Sequence, residues 1–126
     1  MSLKASGIDH VNIDVKSLKE TIEFYNKLFG FVVLKEQPEH NSKIIGNEKI
    51  KMCIYEDPDF NGYVESGFNH FGFHIENFNE IISKCKENGV TINYGGAIGW
   101  EKSESIYITD PNGYEIELSR VFGGGL

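Results

Sequence analysis

Ser6-Gly7-Ile8-Asp9-His10-Val11-Asn12-Ile13 returns 60 positions later as Ser66-Gly67-Phe68-Asn69-His70-Phe71-Gly72-Phe73. Self-similarity at a fixed spacing marks copies of one supersecondary unit. Each copy sets a histidine at the same local position, His10 in the first and His70 in the second. Two such placements related by approximate symmetry can aim two imidazoles at one point. That is a ligand geometry, so a metal site is the leading expectation.

The residues after each histidine repeat the same plan. Val11, Ile13 and Val15 alternate with His10, Asn12 and Asp14, the period-2 pattern of a half-buried strand. Ser17-Leu18-Lys19-Glu20 reads as a capping box, Ile22, Tyr25, Leu28 and Phe29 as an apolar helical stripe, and Gly30 as its closing residue. In the second copy Phe71, Phe73 and Ile75 alternate with His70, Gly72 and His74. Asn77 and Glu80 are expected to cap a helix lined by Phe78, Ile81, Ile82 and Cys85, with Gly89 at its end. Further short strands are expected over 31–37 and 43–55, then over 91–94, 105–109 and 114–120. Asp110-Pro111-Asn112-Gly113 is a strong hairpin turn. The spacing predicts a linker over 58–66 and a Gly-rich loop over 94–104. The fold class is therefore α+β, a doubled βαβββ arrangement with helices on one face: a single domain over 1–126, with module one at 6–57, the linker at 58–66 and module two at 67–120.

Helices must bury an apolar sheet face. Val11/Ile13/Val15, Ile50/Met52/Ile54, Phe71/Phe73/Ile75, Ile106/Ile108 and Ile116/Leu118 supply it. The opposite face then carries His10/Asn12/Asp14, Lys51/Cys53/Tyr55, His70/Gly72/His74, Ser105/Tyr107/Thr109 and Glu115/Glu117. His10 and His70 with the two glutamates favour a cavity lining over a merely solvated surface. His40 reads as a surface loop residue and Cys85 as core.

A chain of 126 residues is long enough for one compact core, burying roughly 70% of its extended surface. Its net charge of −7, without a Lys/Arg cluster, argues against a nucleic-acid partner. No apolar run reaches the ~18 residues of a membrane span, and no signal-peptide core is present. Two cysteines, Cys53 and Cys85, make no disulfide scaffold and fit a reducing compartment, so a cytoplasmic location is expected.

Taken together, Asp9-His10-Val11, Thr21-Ile22-Glu23-Phe24-Tyr25-Asn26-Lys27-Leu28-Phe29-Gly30-Phe31, Asn69-His70-Phe71-Gly72-Phe73 and Thr109-Asp110-Pro111-Asn112-Gly113-Tyr114-Glu115-Ile116-Glu117-Leu118 resemble the vicinal oxygen chelate superfamily. That superfamily includes glyoxalase I, fosfomycin thiol transferases, small extradiol dioxygenases and bleomycin-binding proteins. The resemblance runs from Ile8 to about Arg120 and is closest in pattern to the thiol-transferase-like and glyoxalase-like members. It implies curved mixed sheets forming a metal-containing cup. The superfamily's ligand positions fall on His10, His70 and Glu117, with Glu115 the competitor if the register differs. A 2-His-1-carboxylate set suits Fe, Mn, Zn or Ni and leaves positions open for a chelating substrate. Glyoxalase I-like members carry a fourth ligand in the last strand of the first repeat, where this chain offers Lys51, Cys53 and Tyr55. The three-ligand pattern points away from a complete glyoxalase I. The thiol transferases also hold their anionic substrate with several basic residues, and here only Lys102 and Arg120 lie nearby.

The resemblance implies a divalent-metal-dependent enzyme for a small substrate with two chelating oxygens, acting as a lyase/isomerase or, with a thiol co-substrate, as a thiol transferase. A non-heme Fe(II) extradiol dioxygenase and a metal-free drug- or metabolite-binding resistance protein are the alternatives. Glu117 and His74 are the candidate catalytic groups. Asn12, Cys53, Tyr55, Trp100, Ser105 and Tyr107 are the candidate substrate contacts, and Trp100 with Gly95-Gly96-Ala97-Ile98-Gly99 is a candidate lid. The resemblance further implies a homodimer in which His10 of one chain meets His70 and Glu117 of the other.

Overall fold

The computed structural model describes residues 1–126. It consists of two compact units, Met1–Asn61 and Gly62–Leu126. The first contains strand β1 (Val11–Val15), helix α1 (Leu18–Phe29) and strands β2 (Val32–Gln37), β3 (Ser42–Gly46) and β4 (Lys51–Glu56). The second contains β5 (His70–His74), α2 (Ile81–Glu87), β6 (Ile98–Gly99), β7 (Glu104–Thr109) and β8 (Glu115–Ser119). Each is therefore a βαβββ module, as the repeat predicts. The sheet orders match as well, β1-β4-β3-β2 and β5-β8-β7-β6. In both, the first strand pairs parallel to the last and the remaining pairs are antiparallel.

In the first unit Ser17 caps α1 by accepting from the Glu20 backbone N–H at 3.2 Å, and Gly30 ends it at φ 67°. Tyr25 is fully buried, stacked on Phe31 with centroids 6.0 Å apart, above Ile13, Val15, Ile45, Met52 and Ile54. The second unit buries Phe73, Phe78, Ile81, Cys85, Ile106, Ile108, Ile116 and Leu118. Asp110 closes the β7–β8 turn by accepting from the backbone N–H groups of Asn112 and Tyr114 at 2.9 and 3.0 Å. Residues 62–66 belong to this unit: the Tyr63 N–H donates to the Asn112 carbonyl at 2.6 Å, and its ring stacks on Tyr114.

Several local expectations are corrected. Asn77 does not cap α2: its side-chain NH2 donates to the Glu80 carboxylate, its side chain caps no backbone N–H, and a 3₁₀ turn, Phe78–Glu80, leads into the helix instead. Ile82 lies off the buried stripe and is exposed, since α2 starts late and turns Ile81 and Cys85 inward. Residues 91–94 do not form a strand: Ile92 makes a single bridge to Ile108, followed by a 3₁₀ turn at Asn93–Gly95. The expected loop over 94–104 contains β6, hairpinned onto β7. Arg120 is also committed. Its guanidinium lies 4.4 Å from the centre of the Phe78 ring and donates to Glu104 and Asn79, both at 2.7 Å.

No helix is long and apolar enough to cross a membrane. Gly46, at φ 150°, would place a Cβ 1.9 Å from the Ile50 carbonyl oxygen, whereas Gly30 has open space around it. We expect Gly46→Ala to lower unfolding stability by about 3 kcal/mol and Gly30→Ala by about 1 kcal/mol, measured by urea denaturation.

Candidate functional site

The strand register of the second unit lays out one polar face. His70, Gly72 and His74 of β5 pair with Glu115, Glu117 and Ser119 of β8, and these pair in turn with Thr109, Tyr107 and Ser105 of β7. Side chains on a pleated strand alternate, so these nine residues share one side while Phe73, Ile106, Ile108, Ile116 and Leu118 fill the other. None of the nine is Lys or Arg.

Glu117 sits at the centre of this face, half-buried. Its Oε2 accepts from Ser105 Oγ at 2.6 Å and from Ser119 Oγ at 3.3 Å, and Tyr107 adds a further hydrogen bond. Its Oε1 stands 2.9 Å from His70 Nε2. Burial works against the carboxylate, yet the bonds from Ser105, Tyr107 and His70 outweigh it and hold Glu117 below the usual carboxylate range. Tyr107 is 8% exposed, and burial together with the Glu117 carboxylate pushes its phenol up to about 12. Its ring meets those of His70 and Tyr94 edge-on, at 5.6 and 5.4 Å.

His70 is oriented from behind. Its Nδ1 lies 2.5 Å from Asn69 Oδ1, and the Asn69 amide nitrogen donates to Glu65 Oε1 at 2.8 Å, which fixes which end of the amide faces the ring. Asn69 Oδ1 can only accept, so His70 Nδ1 carries a proton. In the neutral ring Nε2 then turns a lone pair toward Glu117. Two lone-pair donors at 2.9 Å require a positive charge, supplied by a second ring proton or by a cation. Cis donors bonded at about 2.1 Å to one octahedral ion stand about 3 Å apart, so the pair fits a divalent metal. Glu115, the competing carboxylate, instead accepts from Tyr94 OH at 2.6 Å and Asn93 Nδ2 at 3.3 Å.

The remaining candidates divide between the units. His74 is exposed on the same face, with Phe122 edge-on at 5.8 Å, outside the Glu117 network. Trp100 is 51% exposed and donates Nε1–H to Ser105 Oγ at 2.9 Å. In the first unit His10 precedes β1 rather than lying within it, its side chain half exposed and its Nδ1 2.7 Å from Asp9 Oδ2. Asn12 is exposed opposite Cys53, and Tyr55, half-buried, pairs with Asp14 and Ser42. Cys53 is 7% exposed, with Ser42 Oγ at 3.7 Å and Gln37 Oε1 at 3.6 Å from its sulfur. No three His, Cys, Asp or Glu side chains gather as one metal-holding group within the chain. Sequence reasoning missed Asn69, Glu65, Ser119 and Asp9. The signal for Asp9 and Asn69 lay in the repeat itself, which places an oxygen-bearing side chain immediately before each histidine.

Paired βαβββ modules with a His–Glu pair on a polar sheet face define a class, and the chain belongs to it: the model of the Glyoxalase/Bleomycin resistance protein/Dioxygenase superfamily matches residues 7–118. Among its relatives, a trivalent organoarsenical cleaving enzyme of Bacillus sp. (strain MD1) is 27% identical over 86% of this chain and 70% of its own length. Metallothiol transferase FosB of Staphylococcus saprophyticus is 28% identical over 89% of this chain and 75% of its own. The fosfomycin resistance protein FosX of Listeria monocytogenes, solved with Mn(II) and sulfate, superposes with a TM-score of 0.74 at 25% identity, covering 91% of this chain and 90% of that one.

The Tyr107 phenol carries a pH prediction. Its folded value, about 12, exceeds the ordinary value near 10, so its contribution to stability is intact below about 10 and is lost as pH rises through about 12. Absorbance titration at 295 nm should show Tyr107 ionising late, alongside Tyr94, which its bond to Glu115 also raises, and Tyr107→Phe should remove one late-ionising phenol and reduce the alkaline loss of stability.

Proposed function

We propose that this protein is a divalent-metal-dependent enzyme of glyoxalase-like type that acts on a small substrate with two chelating oxygens, as a lyase/isomerase or thiol transferase. The observation that carries this reading is the 2.9 Å approach of His70 Nε2 to the ionised Glu117, with His70 Nδ1 already satisfied by Asn69. His70 and Glu117 would hold the ion, with His10 of the first repeat completing a 2-His-1-carboxylate set. When bound, such an ion supplies Lewis acidity that stabilises charge developing on a chelated substrate oxygen.

The chain's own groups do the rest. Ser105, Ser119 and Tyr107 keep Glu117 anionic and pointed at His70. Tyr107 stays protonated through neutral pH and remains a hydrogen-bond donor. His74, exposed two positions along β5, is the candidate for exchanging a proton with the substrate. On the first repeat Asn12, Cys53 and Tyr55 remain candidate substrate contacts, beside Trp100 on the second.

Substrate charge is constrained as well. The second unit's polar face holds two carboxylates and no Lys or Arg, and Arg120 is tied to Glu104, Asn79 and Phe78. A dianionic substrate gains no fixed cationic partner there. We therefore favour an uncharged or singly charged chelating substrate over a phosphonate. The FosB relationship supports a thiol as co-substrate, and the superfamily's dioxygenase members keep an Fe(II) oxygen reaction as the second reading.

Equilibrium dialysis against Mn, Fe, Ni and Zn should load about one ion per chain, and Glu117→Gln should weaken loading at least tenfold. If the site is shared across a homodimer, His10→Ala and Glu117→Gln chains, each defective alone, should regain one site per mixed dimer when refolded together. Failure of the wild type to retain any of the four metals would overturn the enzyme reading in favour of metal-free binding of a drug or metabolite.

A further inference from the structure

Glu117 Oε2 is the end of a directed hydrogen-bond relay that begins at the surface. An indole N–H can only donate, so Ser105 must accept from Trp100, at 2.9 Å. The single hydroxyl proton of Ser105 is thereby left for Glu117, at 2.6 Å. The direction of both bonds follows from donor chemistry alone. Hydrogen bonds in such a chain polarise one another, and those to a carboxylate are the stronger kind. Ser105 is 1% exposed, so no bulk water replaces Trp100 as its donor without a rearrangement. Trp100 is itself fixed by its backbone N–H to the Ser103 carbonyl at 2.8 Å, in the turn of the β6–β7 hairpin.

The first repeat provides an internal control. Ser42 faces Tyr55 in the β3–β4 register just as Ser105 faces Ser119 in β7–β8, and Cys53 is the counterpart of Glu117. Ser42 is nearly as buried, at 2% exposed, but its Oγ donates away from the central residue, to Gln37 Oε1 at 2.9 Å. A serine that merely filled this position would behave alike in both repeats. The serine turns its proton onto the centre only where a carboxylate stands there and an indole donates from behind.

We propose that Trp100 is a positioning residue for the candidate metal carboxylate: acting through Ser105, it locks Glu117 Oε2 so that Oε1 is presented to a cation beside His70. This rests on the metal reading above, and it makes a solvent-facing side chain a determinant of cation affinity.

The test uses the full chain and Mn(II) alone, with free Mn(II) read by electron paramagnetic resonance. Trp100→Phe keeps an aromatic ring and removes the N–H; Ser105→Ala removes the link. Each should weaken Mn(II) binding about tenfold, the range for partners that orient a metal ligand. Because the two act in series, the double variant should bind no more weakly than Ser105→Ala alone, and this non-additivity separates a relay from two independent packing losses. Thermal melts should place Trp100→Phe within a few degrees of the wild type, as suits a half-exposed ring. Wild-type Mn(II) affinity in a folded Trp100→Phe, with binding still lost in Glu117→Gln, would overturn the relay and leave the metal reading standing. Absence of Mn(II) binding by the wild-type chain would overturn the relay, and absence of Fe, Ni and Zn binding as well would overturn the metal reading with it.

Discussion

The parallel pairing of the first and last strands in each repeat is the constraint on which the site depends. β5 and β8 lie 45 residues apart at Gly72 and Glu117, and only this pairing brings the repeat's histidine beside the carboxylate. Side chains alternate strictly along both strands, so a slip of one residue would carry Glu117 into the core and expose Ile116 and Leu118. Fully buried Ile116 and nearly buried Leu118 thus hold Glu117 in place without touching its chemistry. The core under α2 and the polar face above it are one decision made twice, once in apolar area and once in donor geometry.

The same pairing makes the duplication a device for placing imidazoles. Asp9 stands to His10 as Asn69 stands to His70, each presenting an oxygen to Nδ1 at hydrogen-bond distance. What was duplicated is therefore an oriented imidazole, a ring held through Nδ1 by the preceding residue. The central strand then diverges. Cys53, 7% exposed with Ser42 and Gln37 against its sulfur, occupies the register position of Glu117. A carboxylate at that position, which would be the set's fourth ligand, would displace the contacts of Cys53 with Ser42 and Gln37.

What the sequence made legible follows from how short-range each signal is. Alternation over β1, β5, β7 and β8, the Ser17 cap, Gly30 and the Asp110–Gly113 turn are all local, and all stand where the residues place them. Alternation puts Glu115 and Glu117 on one face and does not choose between them; the choice of Glu117 rests on the superfamily resemblance, and in the structure it is the Glu117 carboxylate that meets His70. The losses come from competition between partners. Asn77 had the right spacing to cap a helix, but a 3₁₀ turn intervenes and α2 starts only at Ile81. β6 is two residues long and carries no period of its own; it exists because β7 offers an edge. Asn69 and Glu65 act through side-chain bonds spanning one and four residues, and Glu65 lies in a segment that reads only as a linker.

Gly72 shows why space is as much a part of the site as the donors. It is not among the glycines with positive φ, so the backbone there does not require glycine. A Cβ would lie 3.5 Å from the Glu117 carbonyl oxygen and 3.8 Å from the Glu117 Cβ, ordinary contact distances that the strand would tolerate. Neither conformation nor backbone packing therefore explains the missing side chain. Its register partner is Glu117, and its counterpart in the first repeat is Asn12, paired with the buried Cys53. A side chain at 72 would stand on the polar face directly beside the Glu117 carboxylate and would crowd any cation or substrate of the kind proposed for that site. The repeat with a carboxylate at the centre of its sheet leaves the neighbouring position empty, and the repeat with Cys53 there fills it with the Asn12 amide.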